Sequence, residues 1–432
     1  MELYGILASH GCAAFGLALG LVVLLGFLGA PLFLWTILAA AYLFGVGASV
    51  PVWIVFAVFA AIFNLPPLRA NLVSRVVMKV MKGILPAISE TERVALEAGV
   101  VWVEGELFSG KPNLERLRKE AYPDLTPEEK AFIAGPCQKL CDMIDDWQIW
   151  QKREIPENVM DFIKKEKFFG MIIPKEYGGL GFSALCHSEV VKLVSARSIP
   201  CGITIMVPNS LGPAELLNHY GTKAQKDKYL PDLAVGKQIP CFALTEPGAG
   251  SDAGAIQATG ELFKGDDGEI YVKLNWNKRW ITLAAISTIL GLAFKLRDPK
   301  NLLGKGEDLG ITCALIPSNT KGVVLGLRHD PLGVPFYNCP TRGHDVVVKA
   351  EDAIIGGLAG AGGGWKMLME CLGAGRGISL PAQSTGGAQQ AAWLASAHAA
   401  IRKQFGMSIS RFEGIEEPMA RITRAEIGRA HV

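Results

Sequence analysis

Between Leu3 and Leu68 the chain has no aspartate, glutamate, lysine or arginine. Elsewhere charge is sparse and mixed: 19% of the 432 residues are charged, and the formal net charge is +2. No block of like charge supplies the basic stripe that nucleic-acid binding requires, so no nucleic-acid partner is expected. The nine cysteines contain no C-x-x-C pair and no small-domain framework. They read as reduced thiols rather than as a zinc site or a disulfide scaffold. Cys137 and Cys141 are spaced for one helix face and read as core. There is no G-x-S-x-G elbow and no ordered triad, which argues against a hydrolase. No internal repeat is visible.

The charge-free run has room for two or three membrane spans at about 20 residues each. "PLFLWTILAAAYLFGVGASV" (31–50) has the length of one span. A cleaved signal peptide does not fit, because there is no basic start and the apolar stretch is too long. Arg69, Arg75, Lys79 and Lys82 follow the run, and basic residues beside a membrane segment favour the cytoplasmic side. The expectation is transmembrane helices over 1–66, with the rest of the chain in the cytoplasm.

Residues 67–120 read as a connector with helices; "ISETERVALEAG" opens one of them with Ser89 as its cap. From 121 to 238 the pattern is helical. "DLTPEEKAFIAG" starts with Thr126 as cap and Pro127 in the first helical position. From 239 to 355 short β-prone runs alternate with Gly, Asp, Asn and Pro, with no helix between them. That pattern predicts an antiparallel sheet domain and not a dinucleotide-binding βαβ unit. Helix returns over 356–425. The fold class is therefore α+β, in the order membrane helices, helical domain, β domain, helical domain.

Three constellations stand out. "CFALTEPGAGSD" (241–252) is a bare turn in which Gly248 and Gly250 let backbone N–H groups approach a phosphate or a ring edge. Thr245 and Ser251 add hydroxyls. In "NKRWIT" (277–282), Trp280 and Thr282 share one face of a strand and offer an aromatic wall to a planar ring. In "GAGRG" (373–377), three glycines inside a helical stretch suggest a bare face beside Arg376 for a ligand. "GLAGAGGGW" (357–365) lacks the strand and the later acid of a dinucleotide loop and reads as a mobile connection into the next helix.

Together these residues resemble the acyl-CoA dehydrogenase family. "ALTEPGAGSD" (243–252) matches that family's flavin signature, and the domain order is the same. "NSLGPAELLNHYGT", "DAGAIQATG", "GITCALIP" and "FEGIEEPMARI" look like the bacterial, membrane-associated enzymes of fatty-acid β-oxidation. The resemblance implies FAD as cofactor, held by Phe242, Leu244, Thr245, Gly250, Ser251, Trp280, Ile281 and Thr282, with Arg402 and Gln404 reaching the flavin of a neighbouring subunit. Ser251 and Arg376 would contact substrate. It further implies long-chain fatty acyl-CoA as substrate, an electron-transferring flavoprotein as acceptor, a homodimer or homotetramer, and the cytoplasmic face of a bacterial inner membrane.

Two departures touch the substrate side: Leu283–Ala284 stands where the family often has Asn-Gly, and Gly373 where an acid often precedes the arginine. The catalytic carboxylate is missing. Some members place a glutamate just before the arginine, where this chain has Gly375, and others carry it in a later helix, beyond residue 432. Glu246 belongs to the flavin turn, and Glu370 and Glu413 stand at neither base position. The end "EIGRAHV" back-translates to a sequencing-adapter string, so 426–432 is expected to be an adapter-derived tail on a truncated reading frame. Two functions are carried forward: an acyl-CoA dehydrogenase fragment lacking its base, and a non-catalytic membrane-anchored flavin or acyl-CoA binding protein.

Overall fold

A computed structural model describes residues 11–84, 88, 90–98, 103–110, 112–121, 123–210 and 212–429. The chain divides into two compact units, Met1–Ser89 and Glu90–Val432.

In the first unit the apolar run breaks into α1 (Gly11–Phe27), α2 (Leu32–Gly45) and α3 (Val50–Asn64), of 17, 14 and 15 residues. A π-helical turn, Arg69–Ser74, leads into α4 (Arg75–Ile84). These helices are each shorter than the spans expected over 1–66. Among the described residues no single helix is long and apolar enough to cross a membrane. The breaks have local causes. Gly29 and Gly47 adopt left-handed backbone with φ of +62° and +65°. Pro31 precedes α2, and Pro51 lies in the first turn of α3.

The second unit opens with α5 (Glu90–Ala98); its expected cap, Ser89, lies outside the described residues. The helix at Pro127–Phe132 starts as expected. Thr126 accepts from the Glu129 N–H, and the Glu129 carboxylate accepts from the Thr126 N–H. Phe132, Phe162, Phe168 and Phe182 meet in a ring cluster beneath it. Short helices at Gln138–Met143, Asp146–Lys152 and Glu157–Lys165 follow, and then α6 (Ala184–Arg197), α7 (Ile199–Ser210), α8 (Pro213–Tyr220) and α9 (Lys223–Ala234).

The sheet has seven strands: β1 (Pro240–Ala243), β2 (Thr259–Lys264), β3 (Ile270–Thr282), β4 (Ile289–Arg297), β5 (Asp308–Pro317), β6 (Val323–Leu325) and β7 (Asn338–Lys349). It is mixed, and this corrects the antiparallel expectation: β1 and β2 both run parallel to β4. They pair with successive parts of it, Ile289–Leu292 and Lys295–Arg297. In effect β1 and β2 are two pieces of one strand, interrupted by an excursion over residues 244–258. That excursion contains the glycine turn. Side-chain alternation could not reveal this, because it reports which face a residue lies on and not strand direction.

Residues 357–365 are not a mobile connection. An added Cβ at Gly360 would sit 2.0 Å from the Ile355 carbonyl oxygen, and one at Gly364 would sit 2.7 Å from the Thr312 Cα. The glycines are there because backbone packs on backbone. They feed α10 (Gly364–Ile401), which lies against α6 and α7. A hairpin, β8 (Lys403–Gln404) and β9 (Met407–Ser408), follows, and then α11 (Glu413–Arg429). Of the expected tail at 426–432, residues 430–432 lie outside the described residues.

Candidate functional site

The turn closes on itself. The N–H groups of Glu246 and Ala249 each donate to the other residue's carbonyl, at 3.1 and 3.2 Å, leaving Pro247 and Gly248 at the tip. Among the described residues nothing lies within 4 Å of a Cβ added at Gly248 or Gly250. Gly250 and Ser251 are exposed, and Thr245 is half-buried. The turn therefore presents bare backbone and hydroxyls to open space.

The strand carrying Trp280 is tied directly to it. The Arg279 N–H donates to the Thr245 carbonyl at 3.1 Å. Lys278 Nζ donates to the Leu244 carbonyl at 2.9 Å and to Glu246 Oε1 at 2.7 Å. The two carboxylate oxygens of Glu246 also accept from the N–H groups of Gln257 (2.5 Å) and Ala258 (3.0 Å), where the chain re-enters the sheet. Burial works to raise the Glu246 pKa, but Lys278 and these N–H donors hold it below the usual glutamate value. Burial pulls Lys278 below the usual lysine value, against the attraction of Glu246.

A β-bulge sets Trp280. Lys278 pairs with Thr341 and Ile281 with Cys339, so Arg279 and Trp280 together face Pro340. Pro340 has no N–H to offer the ladder. Trp280 takes a φ of +60°, and its ring is half-exposed, edge-on to His329 at 4.8 Å. Thr282 is half-buried, whereas Ile281 points into the core. Of the expected Trp-Ile-Thr cover, Ile281 can therefore contribute only backbone. Leu283 follows at φ +65°, a left-handed position that asparagine tolerates better than leucine. Phe242 packs on β4, where a Cβ at Gly291 would come 2.5 Å from its ring.

On α10 the three glycines divide. Gly373 and Gly377 face open space on either side of the exposed Arg376. Gly375 does not: its added Cβ would sit 2.5 Å from the Ser210 carbonyl oxygen, so it is a helix-packing position and not a ligand face. Beside it is a cavity of about 260 Å³, lined by His187, Asn209, Ser210, Cys371 and Ser379 among others. Among the described residues the buried His187 Nε2 and Ser379 Oγ have no hydrogen-bond partner there, and burial pushes the His187 pKa down to about 4. Arg402 and Gln404 are exposed at the β8–β9 hairpin, outside the seven-stranded sheet.

Lys278 was missed by the motif reading, although the sequence signals it. Val272, Leu274, Trp276 and Lys278 share one parity on β3 and all are buried. A lysine on the inward face requires a carboxylate. His187 and Ser379 carry no such signal.

Three family models match in succession: Acyl-CoA dehydrogenase N-terminal domain over 128–237, middle domain over 241–346, and C-terminal domain over 362–432. The chain is 37% identical over 293 residues to the 3-(aryl)acrylate reductase of Clostridium sporogenes, covering 67% of this chain and 71% of that protein. It is 30% identical over 306 residues to the mitochondrial very long-chain specific acyl-CoA dehydrogenase of Bos taurus, covering 70% of this chain and 45% of that one. The fold matches an acyl-CoA dehydrogenase from Bacillus anthracis complexed with FAD, with a TM-score of 0.61 at 23% identity, over 71% of this chain and 51% of that chain. The chain belongs to the acyl-CoA dehydrogenase family, a family of FAD-dependent oxidoreductases. It spans about half the length of the last two proteins.

Proposed function

We propose that this chain takes part in the FAD-dependent conversion of long-chain fatty acyl-CoA to trans-2-enoyl-CoA in fatty-acid β-oxidation. One observation carries the reading: Lys278 and Arg279 lock the bare turn 244–252 to the bulge that displays Trp280. The residues present fit FAD. An open cradle at Gly248 and Gly250, two hydroxyls and a half-exposed indole suit an anionic group joined to a planar ring. Bound FAD would supply the acceptor for the hydride leaving the β-carbon. Thr245 and Ser251 would orient the ring and the thioester, Trp280 and Thr282 would exclude water from one face, and Arg376 would hold the substrate side.

The reaction also needs a base for the α-proton. Glu246 is not free to act, because Lys278 and two backbone N–H groups occupy its oxygens. Gly375 has no side chain and no room for one. We therefore assign slow or no turnover to these 432 residues alone. A non-catalytic flavin or acyl-CoA binding protein is the second reading, and the sequestered Glu246 favours it. Electrons would pass to an electron-transferring flavoprotein. The exposed Arg402 and Gln404 suit contact with a second subunit in a dimer or tetramer. The basic residues after the apolar run support a location on the cytoplasmic face of a bacterial inner membrane.

The test is reconstitution of the chain with FAD, followed by dye-coupled oxidation of palmitoyl-CoA. Reduction of an aryl acrylate is assayed in parallel, because one relative bears that activity in its name. Stoichiometric flavin binding with little turnover is expected. Failure to bind flavin would overturn the first reading and leave only acyl-CoA binding of the second, and fast turnover would overturn the assignment of the missing base.

A further inference from the structure

The first unit holds a helical hairpin closed at one end and polar at the other. Asn64, the last residue of α3, donates to the Thr36 hydroxyl in the first turns of α2 at 2.8 Å. The two helices are therefore antiparallel, joined by a short tip at Val46–Ser49. At that tip the N–H groups of Val46, Gly47 and Ala48 donate back to the carbonyls of Tyr42, Phe44 and Leu43. Three of the four tip donors are thus satisfied within the hairpin, which lowers the cost of placing the tip in hydrocarbon. Neither helix has a buried residue, and Phe44 and Val50 near the tip are 81% and 72% exposed. Each helix is about 22 Å long, short of a bilayer core of about 30 Å.

At the open end the chain turns sharply. α3 and the helical segment Pro66–Ile84 are bent by 84°. α4, in that segment, is strongly amphipathic. Arg75, Lys79 and Lys82, at i, i+4 and i+7, make one stripe. Val76, Val77, Val80, Met81 and Ile84 cover the opposite side, and every one of them is exposed. No acidic residue occurs between Leu3 and Ser89 to offset the four basic ones.

We propose that α2–α3 enters a bilayer as a re-entrant hairpin, and that α4 lies in the plane of the interface, its apolar face in the acyl boundary and its basic stripe on anionic headgroups. The near-right angle suits a hairpin entering the bilayer and a helix lying on its surface. The basic stripe and the absence of acids select anionic over zwitterionic lipid. This rests on the membrane location proposed above and adds its geometry and lipid charge.

The test is co-sedimentation of the full chain with vesicles of phosphatidylcholine alone, or of phosphatidylcholine with phosphatidylglycerol. Each basic residue near an anionic surface strengthens binding about fivefold, so three give roughly 100-fold. Binding to the anionic vesicles is expected to be tighter by about that factor at low salt and to weaken with added salt. The triple variant Arg75→Gln/Lys79→Gln/Lys82→Gln keeps helix-forming residues and is expected to bind both vesicles alike, with unchanged helicity by circular dichroism. Equal binding of the unaltered chain to both vesicles overturns the headgroup assignment while the membrane location stands. A preference that survives in the triple variant overturns the role of α4. Binding to neither vesicle overturns the membrane location as well.

Discussion

Lys278 Nζ and Glu246 Oε1 lie 2.7 Å apart where neither side chain meets appreciable solvent. The pair joins β3 to the turn, and through the Gln257 and Ala258 N–H groups it also joins the turn to β2. Removing one partner leaves a buried charge uncompensated. Lys278→Met is therefore expected to destabilise the fold by about 3–5 kcal/mol in urea unfolding. In Glu246→Gln/Lys278→Met no charge is left buried and the amide oxygen can still accept from one N–H, so less than half of that loss is expected. A Lys278→Met variant within about 1 kcal/mol of the parent would remove the pair from the account of the turn.

Gly375 explains why one carboxylate position used in this family is closed here. Gly375→Glu drives a Cβ into the Ser210 backbone. The expected outcome is a less stable protein with no gain in palmitoyl-CoA oxidation, and Gly375→Ala alone is expected to cost about 1–3 kcal/mol. Thermal unfolding and the dye-coupled assay check both. A stable and more active Gly375→Glu variant would mean that α7 and α10 can move apart.

Trp280 is half-exposed, so its removal separates flavin binding from folding. Trp280→Ala is expected to shift stability by less than about 1 kcal/mol. It should weaken FAD binding roughly 3- to 10-fold, the worth of one aromatic face. Fluorescence titration measures the second effect. An unchanged affinity would place the ring away from the flavin.

Glu129 supplies a pH test in the helical part. Burial tends to raise its pKa, but hydrogen bonds from Ser183 and Thr126 outweigh burial and bring it from 4.5 to about 2. The folded value is the lower one. Its stabilisation is therefore complete above about 4.5 and is lost as pH falls toward 2. Glu129→Gln should be less stable at neutral pH and show a shallower loss of stability across that window. Parallel unfolding curves for the two proteins from pH 5 to pH 2 would contradict the assignment.

The sequence by itself determined what depends on neighbours along the chain. The capping box at Thr126 and Glu129 is local chemistry, and so is the glycine turn, whose bareness is written in its residue types. The family signature was legible for the same reason, since it is one continuous stretch. The length of the apolar run was legible too, but its breaking into short helices was not, because that depended on backbone conformation at Gly29, Gly47 and the two prolines. Tertiary structure alone decided the rest. Strand direction made the sheet mixed and turned 244–258 into an excursion from a broken strand. A bulge opposite Pro340 turned Ile281 inward and left Trp280 outside. Approach of α10 to α7 made Gly375 a contact and not an opening. Each of these outcomes was set by residues distant in sequence whose backbones came within a few ångströms, a proximity that no local pattern encodes.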